Sequence, residues 1–202
     1  MTGYIGPDGQ TRCNWAGSAP EFLDYHDQEW GFPVSNDIRL FEKLCLESFQ
    51  SGLSWRTILN KRDGFRAAFD GFDFQKVARY DGEDLDRLLR DENIVRHRGK
   101  IVAVINNAAR ALEIVDEEGS LAAFFWSYEP KPAELGLPQA QSTSESSVAL
   151  TRELKKRGWK FLGPTTIFAF MQAMGLINDH SEGCTMRASV AEARRRFQRP
   201  SS

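Results

Sequence analysis

A glutamate interrupts an apolar helix face in the segment LCLESFQSGLSW, residues 44–55. Side chains three and four residues apart share one face of a helix, so Glu47 lies on the same face as Leu40 and Leu44. The apolar residues at roughly helical spacing around it are Ile38, Leu40, Phe41, Leu44, Cys45 and Phe49. Because burial of an ionised carboxylate without a partner is costly, Glu47 is a candidate functional residue.

Aromatic residues surround Glu47 in the first quarter of the chain. They include Trp15, Phe22, Tyr25, Trp30 and Trp55. Such a cluster is more commonly part of a hydrophobic core, but a core needs no carboxylate among its rings. An aromatic cage with one acid suits a flat, cationic ligand that donates hydrogen bonds. Each ring face adds cation–π attraction of roughly 0.5–2 kcal/mol, and the acid adds charge and a hydrogen bond.

Two cysteine–histidine pairs lie near the two ends of the chain. Cys13 and His26 are separated by 12 residues, and His180 and Cys184 by three. Two thiolates and two imidazoles are the ligand set of a closed, tetrahedral zinc site, in which the metal is structural. The alternative is that each is an unrelated core or surface residue, because the spacing does not show that the two pairs meet.

A turn between two predicted helices has the features of a phosphate site. In RGWKFLGPTTIFAFMQAMG, residues 157–175, a short apolar and glycine-containing turn leads directly into a helix with Pro164 in its first turn. Free backbone amides and the helix dipole favour an anion at such an N-terminus, and Lys155, Lys156 and Lys160 lie beside it. The more common alternative is a hairpin that only packs its own core.

The dominant hydrophobic period is helical, and we predict an all-α chain of two lobes with a cleft between them. Helices are predicted over residues 35–52, 54–72, 82–94, 100–119, 120–128, 148–158 and 164–175. The first of them starts with the cap-type residues Ser35, Asn36 and Asp37, and Ser54 is a candidate N-cap of the second. The segment 129–147 is rich in proline and serine and is predicted to be a long loop.

Composition and charge narrow the class of protein. The 202 residues are 41% hydrophobic and 27% charged, which is ordinary for a globular chain. No apolar run reaches the length of about 18 residues that predicts a membrane span, and no secretory signal is visible. We therefore expect a cytoplasmic monomer that contacts no membrane. The formal net charge is −2, but local basic runs at 96–100, 155–160 and 194–202 leave nucleic-acid binding open.

At these residues the chain resembles the 3-methyladenine DNA glycosylase I family, the Tag family of the helix-hairpin-helix superfamily. The resembling stretches are RCNWAGSAPEFLDYHDQEWGFP, LFEKLCLESFQSGLSW, IVRHRGKI and LKKRGWKFLGPTTIFAFMQAMGLINDHSEGC, within about residues 12–184. The resemblance implies a helix-hairpin-helix DNA glycosylase fold with helical lobes around a base-binding cleft. It also implies an enzyme that flips 3-methyladenine out of alkylated double-stranded DNA and releases it by hydrolysis.

The resemblance implies roles for individual residues, with Glu47 as the catalytic acid that hydrogen-bonds the methylated base. Tyr25 and Trp55 match the rings that sandwich that base. The full base-binding set is Tyr25, Trp55, Glu47, Trp15, Trp30 and Phe22. The DNA-binding set is Gly52, Leu53, Lys160, Gly163, Thr165 and Thr166. The ligands of a structural Zn²⁺ that joins the chain ends are Cys13, His26, His180 and Cys184.

The chain departs from the family pattern at two positions, Phe22, where some members have tyrosine, and Phe49, where some have a polar residue. The predicted division is a glycosylase domain over residues 1–187 and a basic tail over 188–202, either a nucleic-acid arm or disordered. Asp179 is expected to have a structural role near the zinc. No motif indicates a catalytic lysine or a nucleotide cofactor, so a monofunctional enzyme without a lyase step is predicted.

Three other classes of protein share parts of this pattern. A glycosylase with lyase activity and an iron–sulfur cluster needs four cysteines, and this chain has three. A non-catalytic, zinc-stapled DNA-binding module would keep the hairpin and the basic runs but would not need Glu47 inside an aromatic cage. A protein-interaction domain with structural zinc would bind DNA weakly and without salt dependence.

Overall fold

The computed structural model describes residues 3–201, which are mostly helical. The α-helices are α1 (Phe22–Gln28), α2 (Asp37–Gln50), α3 (Trp55–Asn60), α4 (Arg62–Ala68), α5 (Phe74–Val77), α6 (Gly82–Arg90), α7 (Arg98–Glu118), α8 (Leu121–Trp126), α9 (Glu145–Lys156), α10 (Pro164–Ala173) and α11 (Met186–Arg196). Short 3-10 turns cover Asn14–Ser18, Asp70–Phe72 and Pro132–Glu134. Within residues 3–201, none of the helices combines the length and apolar character that a bilayer crossing requires.

The prediction of an all-α chain is wrong at the N-terminus, where two short strands pair. β1 (Tyr4–Ile5) and β2 (Thr11–Arg12) are antiparallel, with Tyr4 opposite Arg12. The connecting turn is held by the Arg12 guanidinium, which donates two hydrogen bonds of 2.7 Å to the Asp8 carboxylate. Strands of two residues are too short to produce a visible alternation of apolar and polar residues, and so the sequence pattern did not indicate them.

Side-chain caps set the starts of several helices, in agreement with the cap-type residues in the sequence. The Asn36 side chain accepts a hydrogen bond of 2.9 Å from Arg39 N at the start of α2. Ser54 accepts one of 3.2 Å from Thr57 N at the start of α3. Each bond satisfies a backbone amide that the helix itself leaves unpaired. The cap residues therefore fix where α2 and α3 begin.

Three predicted segments differ clearly from the structure. The helix predicted over 82–94 already ends at Arg90. The helix predicted over 54–72 is divided into α3, α4 and a 3-10 turn, because Lys61 has a non-helical backbone and residues 70–72 have positive φ. The loop predicted over 129–147 ends earlier in the structure, because α9 already starts at Glu145. Ser144 caps this helix by accepting a hydrogen bond of 3.0 Å from Ser147 N. The serines that suggested a loop are thus also cap residues.

Helix α2 runs through the centre of the molecule, and all ten residues from Leu40 to Phe49 are buried. It packs against α10, α7, α3 and α8. Each charged side chain in the buried stretch has an ion partner: Glu42 lies 2.8 Å from Arg66, and Glu47 lies 3.1 Å from Lys43. The apolar face predicted around Glu47 is therefore part of a helix that is buried on all sides.

The last helix, α11, packs onto the rest of the chain and crosses the predicted domain boundary at residue 187. Val190 is fully buried, and the Phe197 ring lies 4.5 Å from the Trp126 ring between centroids. Arg194 forms an ion pair of 2.7 Å with Glu129. The alternative of a disordered tail is therefore wrong for this helix.

The packing of α11 predicts the effect of two substitutions. Val190→Ala removes two buried methyl groups and should lower the free energy of unfolding by about 1–2 kcal/mol. Arg195→Ala, in the same helix but exposed, should change it by less than about 0.5 kcal/mol. Urea denaturation of both variants measures these values, and equal stability of the two would show that α11 does not contribute to the core.

Candidate active site

One cavity brings together the aromatic residues and the glutamate that the sequence singled out. It lies between the turn Asn14–Ser18, α1, the C-terminal half of α2, α3 and α10. Its volume is about 360 Å³, within the range of ~300–1,000 Å³ that is typical of small-ligand pockets. The lining residues are Trp15, Phe22, Tyr25, Trp30, Glu47, Gln50, Trp55, Gln139, Gln141, Ala169 and Gln172. All six residues of the predicted base-binding set are among them.

The aromatic rings of the cavity wall contact one another. Trp15 meets Trp30 edge-on with ring centroids 5.1 Å apart, and Tyr25 lies against Trp55 at 5.4 Å with a tilt of 43°. A base stacked between two rings would hold their centroids roughly 7 Å apart, twice a carbon–carbon contact of about 3.5 Å. Tyr25 and Trp55 are closer than this, so these side chains do not form the predicted sandwich in their present positions. A bound base must stack on one ring or move the two apart.

Glu47 has a buried cation as its partner, which the sequence reasoning missed. Lys43 Nζ lies 3.1 Å from Glu47 Oε1 and donates a hydrogen bond of 2.5 Å to Tyr25 Oη. It also lies 3.6 Å from the centroid of the Trp55 ring. Burial raises the pKa of Tyr25 well above its ordinary value, and so its hydroxyl stays neutral. The i, i+4 spacing of Lys43 and Glu47 on one helix is the signal that could have found this pair.

Amide side chains complete the cavity wall, and the sequence reasoning missed these as well. Asp179 holds two glutamines in place: its carboxylate accepts 2.6 Å from Gln172 Nε2 and 2.9 Å from Gln139 N. Gln172 lies on α10, whereas Gln139 belongs to the loop before α9. Asp179 is buried and does not itself line the cavity. Its carboxylate therefore supports the cavity wall, and the role near the zinc that the sequence suggested stays a prediction.

A groove next to the cavity contains most of the residues predicted to contact DNA. Its volume is about 290 Å³, and its lining residues are Glu47, Gln50, Ser51, Gly52, Leu53, Thr165, Thr166 and Ala169. Leu53 is 41% exposed, and Gly52 has a φ of +79°, a conformation that favours glycine. Lys160 and Gly163 do not line this groove; both belong to the turn between α9 and α10.

Hydrogen bonds from two side chains, Lys100 and Ser48, fix the bend that follows α2. The Lys100 ammonium donates to the backbone oxygens of Phe49, at 2.8 Å, and Ser51, at 2.5 Å. It therefore satisfies carbonyl groups that the helix end leaves unpaired. Ser48 Oγ donates 2.9 Å to Phe161 O in the α9–α10 turn. The bend that presents Leu53 and the turn that precedes α10 are thus held together.

The two cysteine–histidine pairs meet in one buried cluster. The ligand atoms of Cys13, His26, His180 and Cys184 all lie within 4.8 Å of one another. Cys184 Sγ is 3.5 Å from His26 Nε2 and 3.4 Å from His180 Nδ1, and Cys13 Sγ is 3.6 Å from His180 Nδ1. A tetrahedral zinc ion with bonds of about 2.3 Å to sulfur and about 2.1 Å to nitrogen places sulfur and nitrogen roughly 3.5–3.6 Å apart. The cluster therefore has the dimensions of a site that could hold a metal ion.

Outer hydrogen bonds orient both histidines toward the cluster. His26 Nδ1 lies 2.7 Å from Asp27 Oδ1, and His180 Nε2 lies 3.1 Å from Trp30 O, which leaves the other ring nitrogen of each free to bind a metal. A hydrogen bond from Cys13 lowers the pKa of Cys184, and the same contact raises that of Cys13. The lowered pKa favours a thiolate at Cys184, the form in which cysteine binds metals, whereas the raised pKa favours the thiol at Cys13.

The cluster also supports the cavity directly. The Trp15 ring lies 5.1 Å from the His26 ring, and the Trp30 ring lies 4.7 Å from the His180 ring, between centroids. Trp15 and Trp30 both line the base cavity. The positions of two cavity rings therefore depend on the region where the chain ends meet.

The helical fold and this cavity define a member of the methyladenine glycosylase family. The family's sequence profile matches residues 15–188, and the chain belongs to that family. It is 45% identical over 177 residues to DNA-3-methyladenine glycosylase 1 of Escherichia coli, covering 86% of this chain and 95% of that protein. It is 42% identical over 183 residues to DNA-3-methyladenine glycosylase of Haemophilus influenzae, covering 89% and 99%.

Solved structures agree with this family. A crystal structure of 3-methyladenine DNA glycosylase I matches with a TM-score of 0.81 and 43% identity, covering 87% of this chain and 98% of that one. A variant of 3-methyladenine DNA glycosylase I in complex with 3-methyladenine matches with a TM-score of 0.80 and 39% identity, covering 86% and 95%. The likeness extends over most of both chains.

The contacts of Lys100 predict a loss of stability on substitution. Lys100→Met removes two charge-assisted hydrogen bonds, one to the buried Phe49 carbonyl and one to the partly buried Ser51 carbonyl. It should lower the free energy of unfolding by about 2–3 kcal/mol. Lys61→Met is the matched control, because Lys61 donates a 2.7 Å bond to Glu92 O at an exposed site. It should cost less than about 1 kcal/mol. Equal losses in urea denaturation would show that Lys100 does not hold the bend.

Proposed function

We propose that this chain is a monofunctional DNA glycosylase that releases 3-methyladenine from alkylated double-stranded DNA by hydrolysing the bond between base and sugar. The observation that carries the proposal is the Glu47 carboxylate on the wall of an aromatic cavity, in a member of the methyladenine glycosylase family. Two relatives are named as 3-methyladenine glycosylases, and a similar structure contains 3-methyladenine.

The charge of the cavity suits a methylated adenine better than an unmodified one. A base inside a duplex must first be flipped out, at a cost of a few kcal/mol. Methylation at N3 gives the adenine a positive charge, which Glu47 balances while it accepts a hydrogen bond. The rings of Tyr25 and Trp55 add stacking and cation–π attraction. Unmodified adenine is neutral and gains only part of this binding free energy. The cavity therefore selects the methylated base over unmodified adenine by its positive charge.

The reaction needs little acid catalysis, because the charged base leaves the sugar as a neutral molecule. Water then bonds to the sugar carbon, through an oxocarbenium-like transition state. Glu47 is the only carboxylate among the described residues that line the cavity, and none of those residues is a lysine. A lyase forms a covalent bond between an amine and the same carbon. The lining therefore supports hydrolysis without a lyase step.

The groove beside the cavity suits the DNA backbone. Leu53, exposed on its fixed bend, would fill the gap that the flipped nucleotide leaves in the duplex. The N-terminus of α10, with Gly163 before it and Thr165 and Thr166 in its first turn, would bind a phosphate through free backbone amides. Lys160 is exposed beside this turn and would add positive charge. Together these groups form the proposed helix-hairpin-helix contact with DNA.

We further propose that the cysteine–histidine cluster binds a structural Zn²⁺. Cys13, His26, His180 and Cys184 would hold it, and four protein ligands leave no position for substrate or water. Bound there, the metal would link the two chain ends and fix the rings that pack on the histidines.

The glycosylase domain is proposed to span residues 1–187, with 188–202 as a basic extension anchored by α11. A monomeric state and a cytoplasmic location stay predictions.

Replacing the cavity carboxylate tests the base-binding role. Glu47→Gln should lower kcat/KM for release of 3-methyladenine from methylated duplex DNA by about 10- to 100-fold, because a charge-assisted hydrogen bond is lost. Chromatography of the released bases measures the effect, and 7-methylguanine should remain in the DNA. The control is Glu113→Gln, which makes the same chemical change on the exposed side of α7 and should leave the rate unchanged.

The Glu47→Gln variant also leaves Lys43 without its ion partner, so stability and activity must be separated. A Lys43→Met/Glu47→Gln double variant removes both charges from the buried site and should fold more stably than Glu47→Gln alone. Its activity should remain low if Glu47 contacts the base. Full release of 3-methyladenine by either folded variant would contradict the role of Glu47. No release by the unmodified, folded protein would favour the non-catalytic DNA-binding module.

Removing one proposed metal ligand tests the zinc site. Purified protein should contain about one zinc per chain by mass spectrometry, and Cys184→Ser should lose the metal and unfold at a lower temperature. The kcat/KM per folded molecule should change by only a few-fold. Cys45→Ala is the matched control, since Cys45 is buried outside the cluster and its loss should leave the zinc content unchanged. A Cys184→Ser variant with unchanged metal content and melting temperature would refute the proposal.

A further inference from the structure

Lys43 is a buried cation in contact with three residues that are proposed to bind the base. Its ammonium lies 3.1 Å from Glu47 Oε1, 2.5 Å from Tyr25 Oη and 3.6 Å from the centre of the Trp55 ring. Only 7% of its side chain is exposed. Burial of a lysine costs free energy unless the charge is paired. These contacts therefore require a specific explanation.

Lys43 reaches the three residues from behind the cavity wall. It lines a small second cavity, on which Tyr25 and Trp55 also border. It is not among the described residues that line the base cavity. A base bound in that cavity is therefore separated from Lys43 by the rings. Any effect of Lys43 on the substrate must pass through the side chains that it contacts.

The other charged groups around Lys43 already have partners. The ion pairs on its side of the wall are Glu29 with Arg62 and Arg39, and Glu42 with Arg66. On the opposite side, α10 presents the uncharged Gln172 and Ala169 to the cavity, with Asp179 bonded to Gln172 from behind. Burial lowers the pKa of Lys43, and the nearby Glu47 opposes this effect. Lys43 and Glu47 are therefore each other's principal ion-pair partner.

We propose that Lys43 is a positioning residue that holds the Glu47 carboxylate against the cavity wall. The inference rests on the proposed function, in which Glu47 binds the methylated base. Lys43 engages Glu47 Oε1, and the same glutamate lines the base cavity. The carboxylate therefore lies between the ammonium and the space for the base. By binding Tyr25 Oη and the Trp55 ring as well, the ammonium ties the stacking surface to the carboxylate.

The proposal predicts a loss of activity when the positive charge is removed. Lys43→Met retains side-chain length and helix propensity but leaves the Glu47 carboxylate without the cation that holds it. The carboxylate is then free to turn away from the base. We expect kcat/KM for 3-methyladenine release to fall about tenfold, because a small displacement of a positioned group costs this much. A kcat/KM equal to that of the unmodified protein would overturn the proposal.

The Glu47→Gln background separates an effect through Glu47 from a general loss of packing. If Lys43 acts through the carboxylate, adding Lys43→Met to Glu47→Gln should cause no further loss of kcat/KM. A purely structural lysine would lower the activity in both backgrounds by the same factor. Equal factors in the two backgrounds would therefore refute the positioning role.

A charge-retaining variant keeps the test decisive if Lys43→Met folds poorly. Lys43→Arg preserves the cation, and its kcat/KM should lie closer to that of the unmodified protein than to that of Lys43→Met. An Arg variant with the full loss predicted for Met would overturn the proposal. Failure of Glu47→Gln to reduce activity would instead contradict the proposed function itself, so the two ideas fail on different variants.

Discussion

The ion pair between Lys43 and Glu47 is the interaction on which the organisation of this site depends. Helix α2 is buried from Leu40 to Phe49, and a carboxylate in such a helix is stable only with a partner. A lysine one turn away provides that partner and leaves Glu47 on the cavity wall. The ion pair within α2 therefore allows this buried helix to place a negative charge at the base cavity.

Two further groups of contacts hold the surroundings of that pair. The cluster of two cysteines and two histidines joins the ends of the chain, and the rings of Trp15 and Trp30 pack on its histidines. At the other side of the cavity, Lys100 fixes the bend after α2, and Ser48 links that bend to the turn before α10. The cavity and the adjoining groove are therefore held in a fixed relative position. This suits an enzyme that binds DNA and an extruded base at the same time.

Much of the site was predictable from local pattern and resemblance. The interrupted apolar face around Glu47, the aromatic residues near it and the cysteine–histidine pairs are all visible as residue types at short spacing. Cap residues such as Asn36 and Ser54 also predicted helix starts, because a cap bond spans only about three residues. The resemblance placed the chain in its family, and the comparisons confirmed that assignment.

The family, the helical periodicity and the candidate chemistry could all be predicted without coordinates, because they depend on residue types and on contacts between near neighbours. Three features became visible only in the folded chain: Lys43 lies against Tyr25 and Trp55, Gln139 from a distant loop joins the cavity wall, and Tyr25 and Trp55 touch. These contacts join segments far apart in the chain. Their distances follow from how whole helices pack, which no local pattern encodes.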